Sequence, residues 1–146
     1  MKRLWVVLAL AACKVSNDDM EERRHALKSQ FDEQFARYRA VIDAFLAATS
    51  AKDYGRAYDL LAPTYRNMVP REHFVARVAT NHNFDKPAAI SWHRYTSLNG
   101  TLKYEVTWGE LGNAEVSFVN VADGSQAVPR IAAISINGTP ALPSPP

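Results

Sequence analysis

The sequence predicts an α+β fold in which three N-terminal helices, the first of them long, pack on a four-stranded antiparallel meander. Three observations carry the prediction. Apolar residues recur at steps of three and four through the first half of the chain, and after Pro87 the period changes to two. Turn pairs such as Asn99-Gly100 and Asp123-Gly124 then punctuate the second half at short intervals. With 47% apolar residues and no internal repeat, the chain supports one small core and so one domain.

The first helix is expected from Asn17 or Asp18, either of which can cap it, to about Thr49. Asp19/Arg23 and Glu33/Arg37 are spaced four apart, a favourable arrangement on a helix surface. Its apolar face comprises Leu27, Phe31, Phe35, Tyr38, Ile42, Phe45 and Leu46. The residues before Leu27 are almost all polar, so residues 19–37 are expected to project as a stalk. A second helix fits residues 53–62, capped by Ser50 or Asp53, stopped by Pro63 and burying Ala57, Tyr58, Leu60 and Leu61. A third starts with Pro70 in its first turn, runs to about Thr80 and buries Phe74, Val75 and Val78.

The strands follow in order. Residues 90–95 lead into the Asn99-Gly100 hairpin turn. Leu102, Tyr104, Val106 and Trp108 alternate with Lys103, Glu105 and Thr107, the cleanest strand pattern in the chain. Gly112-Asn113 turns into a third strand over 114–121, and Asp123-Gly124 turns toward a fourth over 130–136. Pro129 at the entry of that strand suits an edge position. Residues 139–146 carry four prolines in eight positions and are expected as an extended tail outside the core.

The N-terminus carries a different signal. Lys2 and Arg3 precede an uncharged run from Leu4 to Ala12, too short to span a bilayer, which takes roughly 20 residues. This is the pattern of a secretory signal peptide. The segment Leu10-Ala11-Ala12-Cys13 resembles the lipobox of bacterial lipoproteins. That resemblance implies a diacylglyceryl group on the Cys13 thiol and cleavage between Ala12 and Cys13. The expected organisation is a signal peptide over 1–12, an anchor and tether over 13–18, one domain over 19–138, and the tail. Cysteine use agrees: a single Cys in an exported protein has no disulfide partner, and lipidation accounts for it. Fully extended, residues 14–17 reach only about 14 Å, which holds the domain near its membrane. Lys14 follows the anchor, where Asp is the usual inner-membrane retention signal in enteric-type hosts. The expected location is the outer membrane, facing the periplasm.

Charge excludes one class of partner. Of 17 Lys and Arg, Lys2 and Arg3 leave with the signal, so 15 face 15 Asp and Glu in the mature chain. No basic stripe forms, and nucleic-acid binding is not expected.

The segments around Val41-Ile42-Asp43-Ala44-Phe45-Leu46, Lys52-Asp53-Tyr54-Gly55-Arg56-Ala57-Tyr58, Tyr65-Arg66 and Pro70-Arg71-Glu72-His73-Phe74 resemble the NTF2-like superfamily, also called cystatin-like in its sheet geometry. The resemblance spans about residues 38–137. It implies a cone: a curved sheet wrapped over helices, often enclosing a pocket. Members include ketosteroid isomerases and polyketide cyclases, together with proteins that bind ligands, dimerise or assist secretion systems. The last strand departs from the family's frequent Trp-Arg/Lys-Ile ending and reads Ile131-Ala132-Ala133-Ile134-Ser135-Ile136.

Strand alternation bears on chemistry. It directs Ile90, Trp92, Tyr104, Val106, Trp108, Val116 and Phe118 inward, and His93, Tyr95, Glu105 and Glu115 outward, with Arg94 the ionisable exception on the inner wall. An isomerase- or dehydratase-like mechanism needs a carboxylate or imidazole in the pocket, which leaves the helix-borne Asp43 and His73. Both are expected on polar faces, so the enzyme is the alternative reading. His25, His73, His82 and His93 match no metal-ligand spacing, and neither metal nor cofactor is expected. The aromatic load is compatible with a packed core, or with a pocket for an apolar or amphiphilic molecule lined by Tyr58, Trp92, Tyr104 and Trp108. The main expectation is thus a membrane-anchored, non-enzymatic module that binds such a molecule, an envelope protein or a second copy of itself.

Overall fold

The computed structural model describes residues 17–84 and 89–146. The signal, the lipobox and Cys13 lie outside the described residues. The architecture is α+β: a long helix, three short ones and a five-stranded antiparallel sheet in the order β1-β2-β3-β4-β5. The helices are α1 (Asn17–Ser50), α2 (Tyr54–Asp59), α3 (Pro63–Met68) and α4 (Arg71–Val78). The strands are β1 (Ile90–Leu98), β2 (Thr101–Trp108), β3 (Gly112–Asp123), β4 (Gln126–Ile136) and β5 (Thr139–Pro140). The chain divides into two compact units, Met1–Gln34 and Phe35–Pro146, and α1 runs through both. Among the described residues, no helix is long and apolar enough to cross a membrane.

In the first unit the helical surface is exposed throughout, Leu27 and Phe31 included. Of the apolar face read along α1, Phe35 is half-buried and Tyr38, Ile42 and Phe45 are buried in the second unit, with Thr49 following at helical spacing.

The end of α1 shows how local chemistry stops one helix and starts the next. Lys52 adopts φ 58°, the left-handed conformation usually filled by glycine. The Lys52 N–H then donates to the Thr49 carbonyl at 3.0 Å and the Asp53 N–H to Ala48 at 2.8 Å, the paired bonds of a Schellman cap. Thr49, buried here, directs its hydroxyl back to the carbonyls of Phe45 and Leu46, which satisfies it without a distant partner. Asp53 at once caps α2, its Oδ1 accepting the Arg56 N–H at 3.1 Å.

The second helix is shorter than expected, and a third intervenes. Pro63 does not simply end α2; it occupies the first turn of α3, where its missing N–H has no cost. Between them, Leu60 and Ala62 bond the backbone of Ile131 at 3.0 and 2.7 Å, pinning the α2–α3 corner to the edge of β4. Among the described residues, four α-helices therefore replace the expected three.

Two β-bulges correct the strand phases. His93 is the extra residue in β1: Trp92 pairs with Val106, but Arg94 pairs with Glu105 and Tyr95 with Tyr104. Beyond the bulge every side chain changes face. Arg94 thus lies on the outer face, bonded to Glu105 at 2.6 Å, and Tyr95 is on the inner face with its ring 5.9 Å from Tyr104. Both reverse the expected phase. The second bulge falls at Ala132: Ser117 pairs with Ala133, and Phe118 with Ile131. It lets Ile131 and Ile134, three residues apart, share the buried face with Ile136. The bulge falls in the segment that departs from the Trp-Arg/Lys-Ile ending.

The tail is the largest correction. Asn137 and Gly138 take φ 50° and 78°, the values of the two-residue turn also seen at Asn99-Gly100. The chain folds back as β5, pairing Ser135 with Pro140 and Ile136 with Thr139. Ala141 and Leu142 are buried, and the Ala141 N–H donates to the Ile134 carbonyl at 2.8 Å. Tyr65 donates its hydroxyl to the Pro143 carbonyl at 2.7 Å, and Asn81 its amide to Ala141 at 3.1 Å. The sheet therefore has five strands, and residues 141–142 belong to the core.

Candidate functional site

The four rings proposed to line one pocket lie in three packed groups. Trp92 and Tyr104 meet edge to face at 5.1 Å, with Phe35 at 5.3 Å from Trp92. Tyr38 and Phe118 close this group at 5.8 Å each from Tyr104. Trp108 packs instead on Phe84 at 5.9 Å, and Phe84 on Phe45 at 5.4 Å. Tyr58 stands with Phe74 at 5.4 Å, under the Arg71 guanidinium at 5.1 Å. Such spacings are those of close-packed aromatic rings. The Tyr58 hydroxyl is committed as well: it bonds the carbonyls of Arg66 and Val69 at 3.0 and 2.8 Å, satisfying the end of α3. Burial, with Tyr38 and Tyr95 alongside, pushes the Tyr104 phenol up to about 12. Burial also raises the Tyr65 phenol above its ordinary range, helped by Tyr58.

The helix-borne candidates are placed by their partners. Asp43 has a side chain 63% exposed and faces Arg39 at 3.8 Å, one helical turn away. It sits in water, outside the apolar interior that an isomerase-like base requires. His73 is half-buried on α4, its Nε2 3.2 Å from the Ser144 carbonyl of the docked tail. Among the described residues, no three His, Cys, Asp or Glu side chains are grouped to hold a metal ion.

A concave surface does exist, on the other side of the sheet. A groove of about 760 Å³ is lined by His93, Glu105, Asn113, Glu115, Ser135 and Asn137, together with Val106, Ala114 and Gly138. Register builds it: Glu105 stands directly opposite Glu115, and Glu115 opposite Ser135. Two facing carboxylates repel each other. Each is offset by a cation from its neighbouring strand, Arg94 on Glu105 at 2.6 Å and Lys103 on Glu115 at 2.9 Å. The hydrogen bond to Glu105 holds the exposed Arg94 guanidinium in its charged form, raising an already high value. His93 reaches Thr107 Oγ1 at 2.6 Å, and the Asn137 amide donates to the Leu111 carbonyl at 2.7 Å. What results is an open, charge-balanced surface rich in hydrogen-bonding groups, suited to holding a polar partner. Alternation had directed His93, Glu105 and Glu115 to this face; the cross-strand register that gathers them was not legible without pairing the strands.

Neither a scan against protein-family models nor searches of curated proteins and of solved structures find a match for this chain.

Proposed function

We propose that this chain is a lipid-anchored interaction module of the bacterial cell envelope, held by Cys13 in the outer membrane and facing the periplasm. The observation that carries the reading is Leu10-Ala11-Ala12-Cys13 at the end of a charged and then apolar leader. The domain is read as NTF2-like; the bulges at His93 and Ala132, a device that bends strands, support that reading. Packed aromatic groups favour binding at a surface over binding inside the cone, and the charge-balanced groove on the outer sheet face is the surface best furnished for it. Groups there can hold a polar ligand or a protein segment by hydrogen bonds. The test is metabolic labelling with a fatty acid. Wild-type protein should take up label and be processed, whereas Cys13→Ser should remain an unlabelled precursor. Label entering the Cys13→Ser protein overturns the anchor. Recovery chiefly in the inner-membrane fraction overturns the assigned membrane.

A further inference from the structure

Two turns of the sheet repeat one sequence. Asn99-Gly100-Thr101 joins β1 to β2 and Asn137-Gly138-Thr139 joins β4 to β5, each after a branched apolar residue, Leu98 or Ile136. Their backbones agree as well. Asn99 and Gly100 take φ 51° and 77°, Asn137 and Gly138 take 50° and 78°, and Leu98 pairs with Thr101 as Ile136 does with Thr139. Both turns lie in the second unit. Beyond the chain neighbours, nothing comes within 4 Å of where a Cβ would stand on either glycine. The two asparagines therefore share one intrinsic chemistry.

What differs is how each turn is held. The Asn137 amide donates to the Leu111 carbonyl at 2.7 Å, and its backbone N–H donates to Asn113 at 2.7 Å. Opening that turn also frees β5 and the tail behind it, where Ala141 and Leu142 are buried and Tyr65 and Asn81 bond the backbone. At the β1–β2 tip, Leu98, Asn99 and Gly100 are all exposed, Leu98 at 72%, so opening gives up the last ladder bonds and little burial. Local openings of a folded protein range from almost no cost at mobile tips to the full cost of unfolding in the core.

We infer that Asn99 is a site of spontaneous covalent modification, its side-chain amide displaced by the Gly100 backbone nitrogen, whereas Asn137 is protected by the docked tail. The Gly100 nitrogen attacks Asn99 Cγ. The N–Cγ bond forms, the Cγ–Nδ2 bond breaks, and Nδ2 leaves as ammonia with the proton that the Gly100 nitrogen gives up. Glycine admits this attack because it has no Cβ to bar the close approach. Closing the five-membered ring rotates the Asn99 backbone out of the left-handed turn, so the cost of opening governs the rate. Solvent water then opens the cyclic imide at either carbonyl. Attack at Cγ restores the main chain and leaves aspartate, which tolerates the left-handed conformation as asparagine does. Attack at the main-chain carbonyl of residue 99 leaves isoaspartate, with the chain running through Cβ and Cγ. The loop is then one backbone atom longer and no longer matches the two-residue turn between Leu98 and Thr101. Either product places a new negative charge at the exposed tip. The inference is independent of the groove and of the lipid anchor.

The repeated sequence supplies its own control. Full-length protein in detergent is held at about pH 8, below the range in which tyrosines titrate, then digested in acid and mapped by mass spectrometry at intervals. Conversion appears as NH replaced by O in the peptide that holds the asparagine. In the folded protein Asn99 should convert at least about tenfold faster than Asn137, the ratio that a difference of about 1.4 kcal/mol in the cost of opening produces. In guanidinium-unfolded protein the two should convert at the same rate. Leu142→Ala, which loosens the docked tail, should speed Asn137 and leave Asn99 unchanged. Equal rates in the folded protein, Asn137 ahead of Asn99, Asn99 intact after the unfolded chain has converted, or an unchanged Asn137 in Leu142→Ala each overturns the inference.

Discussion

Leu142→Ala tests the docked tail most directly. If residues 139–146 trailed in solvent, as their four prolines suggested, shortening Leu142 would change nothing. In the structure Leu142 is 7% exposed beside Ala141, and its segment is tied down by Tyr65, Asn81 and the backbone of Ile134. Leu→Ala in a protein core costs about 2–5 kcal/mol, depending on how far the site collapses. A side chain near a chain terminus can relax, so the low end applies, about 2–3 kcal/mol. With a urea slope of about 1–3 kcal/mol/M, the unfolding midpoint should fall by about 0.7–3 M. Tryptophan fluorescence in urea reads this, with Pro145→Ala, at an exposed position, as the control expected within about 0.5 kcal/mol of wild type. Tyr65→Phe should cost about 1 kcal/mol, since it removes one hydrogen bond. A Leu142→Ala midpoint indistinguishable from that of Pro145→Ala refutes the docking.

Trp108→Ala should cost about 3–5 kcal/mol, because Trp108 is fully buried against Phe84, and no added apolar compound should restore it if the site is packed core; the measurement is denaturant unfolding with and without such a compound. Alkaline pH should destabilise the domain. Tyr104 holds its proton up to about pH 12 when folded but only to about 10 when unfolded, so the folded state binds the extra proton between them and stability falls as pH rises through that window. The loss is about 2–3 kcal/mol by pH 12, with Tyr65 adding in the same direction, and stability titrations from pH 8 to 12 should show no tyrosine-linked loss below pH 9. Asp53→Ala should cost about 1 kcal/mol by uncapping α2 while Asp53→Asn retains most of the stability, as read by thermal unfolding.

Local chemistry alone was enough for much of the fold. The span of α1, the Asp53 cap, the Asn99-Gly100 hairpin and the alternation in β2 all follow from contacts within a few residues, and such signals are legible in one dimension. The fifth strand was legible in principle too, since Asn137-Gly138 is the same turn signal as Asn99-Gly100; the prolines that follow it carry the opposing signal of an extended tail. The proposed leader and lipobox are likewise read from residue order alone, and they lie outside the described residues.

What only the tertiary structure decided involves pairing between distant residues. A bulge has no local signature: His93 and Ala132 become unpaired residues only when β1 meets β2 and β4 meets β3, and the His93 bulge carries Arg94 outward and Tyr95 inward. Periodicity marks an apolar face on α1 but not how far it is buried: Leu27 and Phe31 are exposed, whereas Tyr38, Ile42 and Phe45 are buried. The same holds for the candidate groove. Glu105 and Glu115 are ten residues apart, and their opposition, with a cation on each, exists because the β2–β3 register places them across from each other.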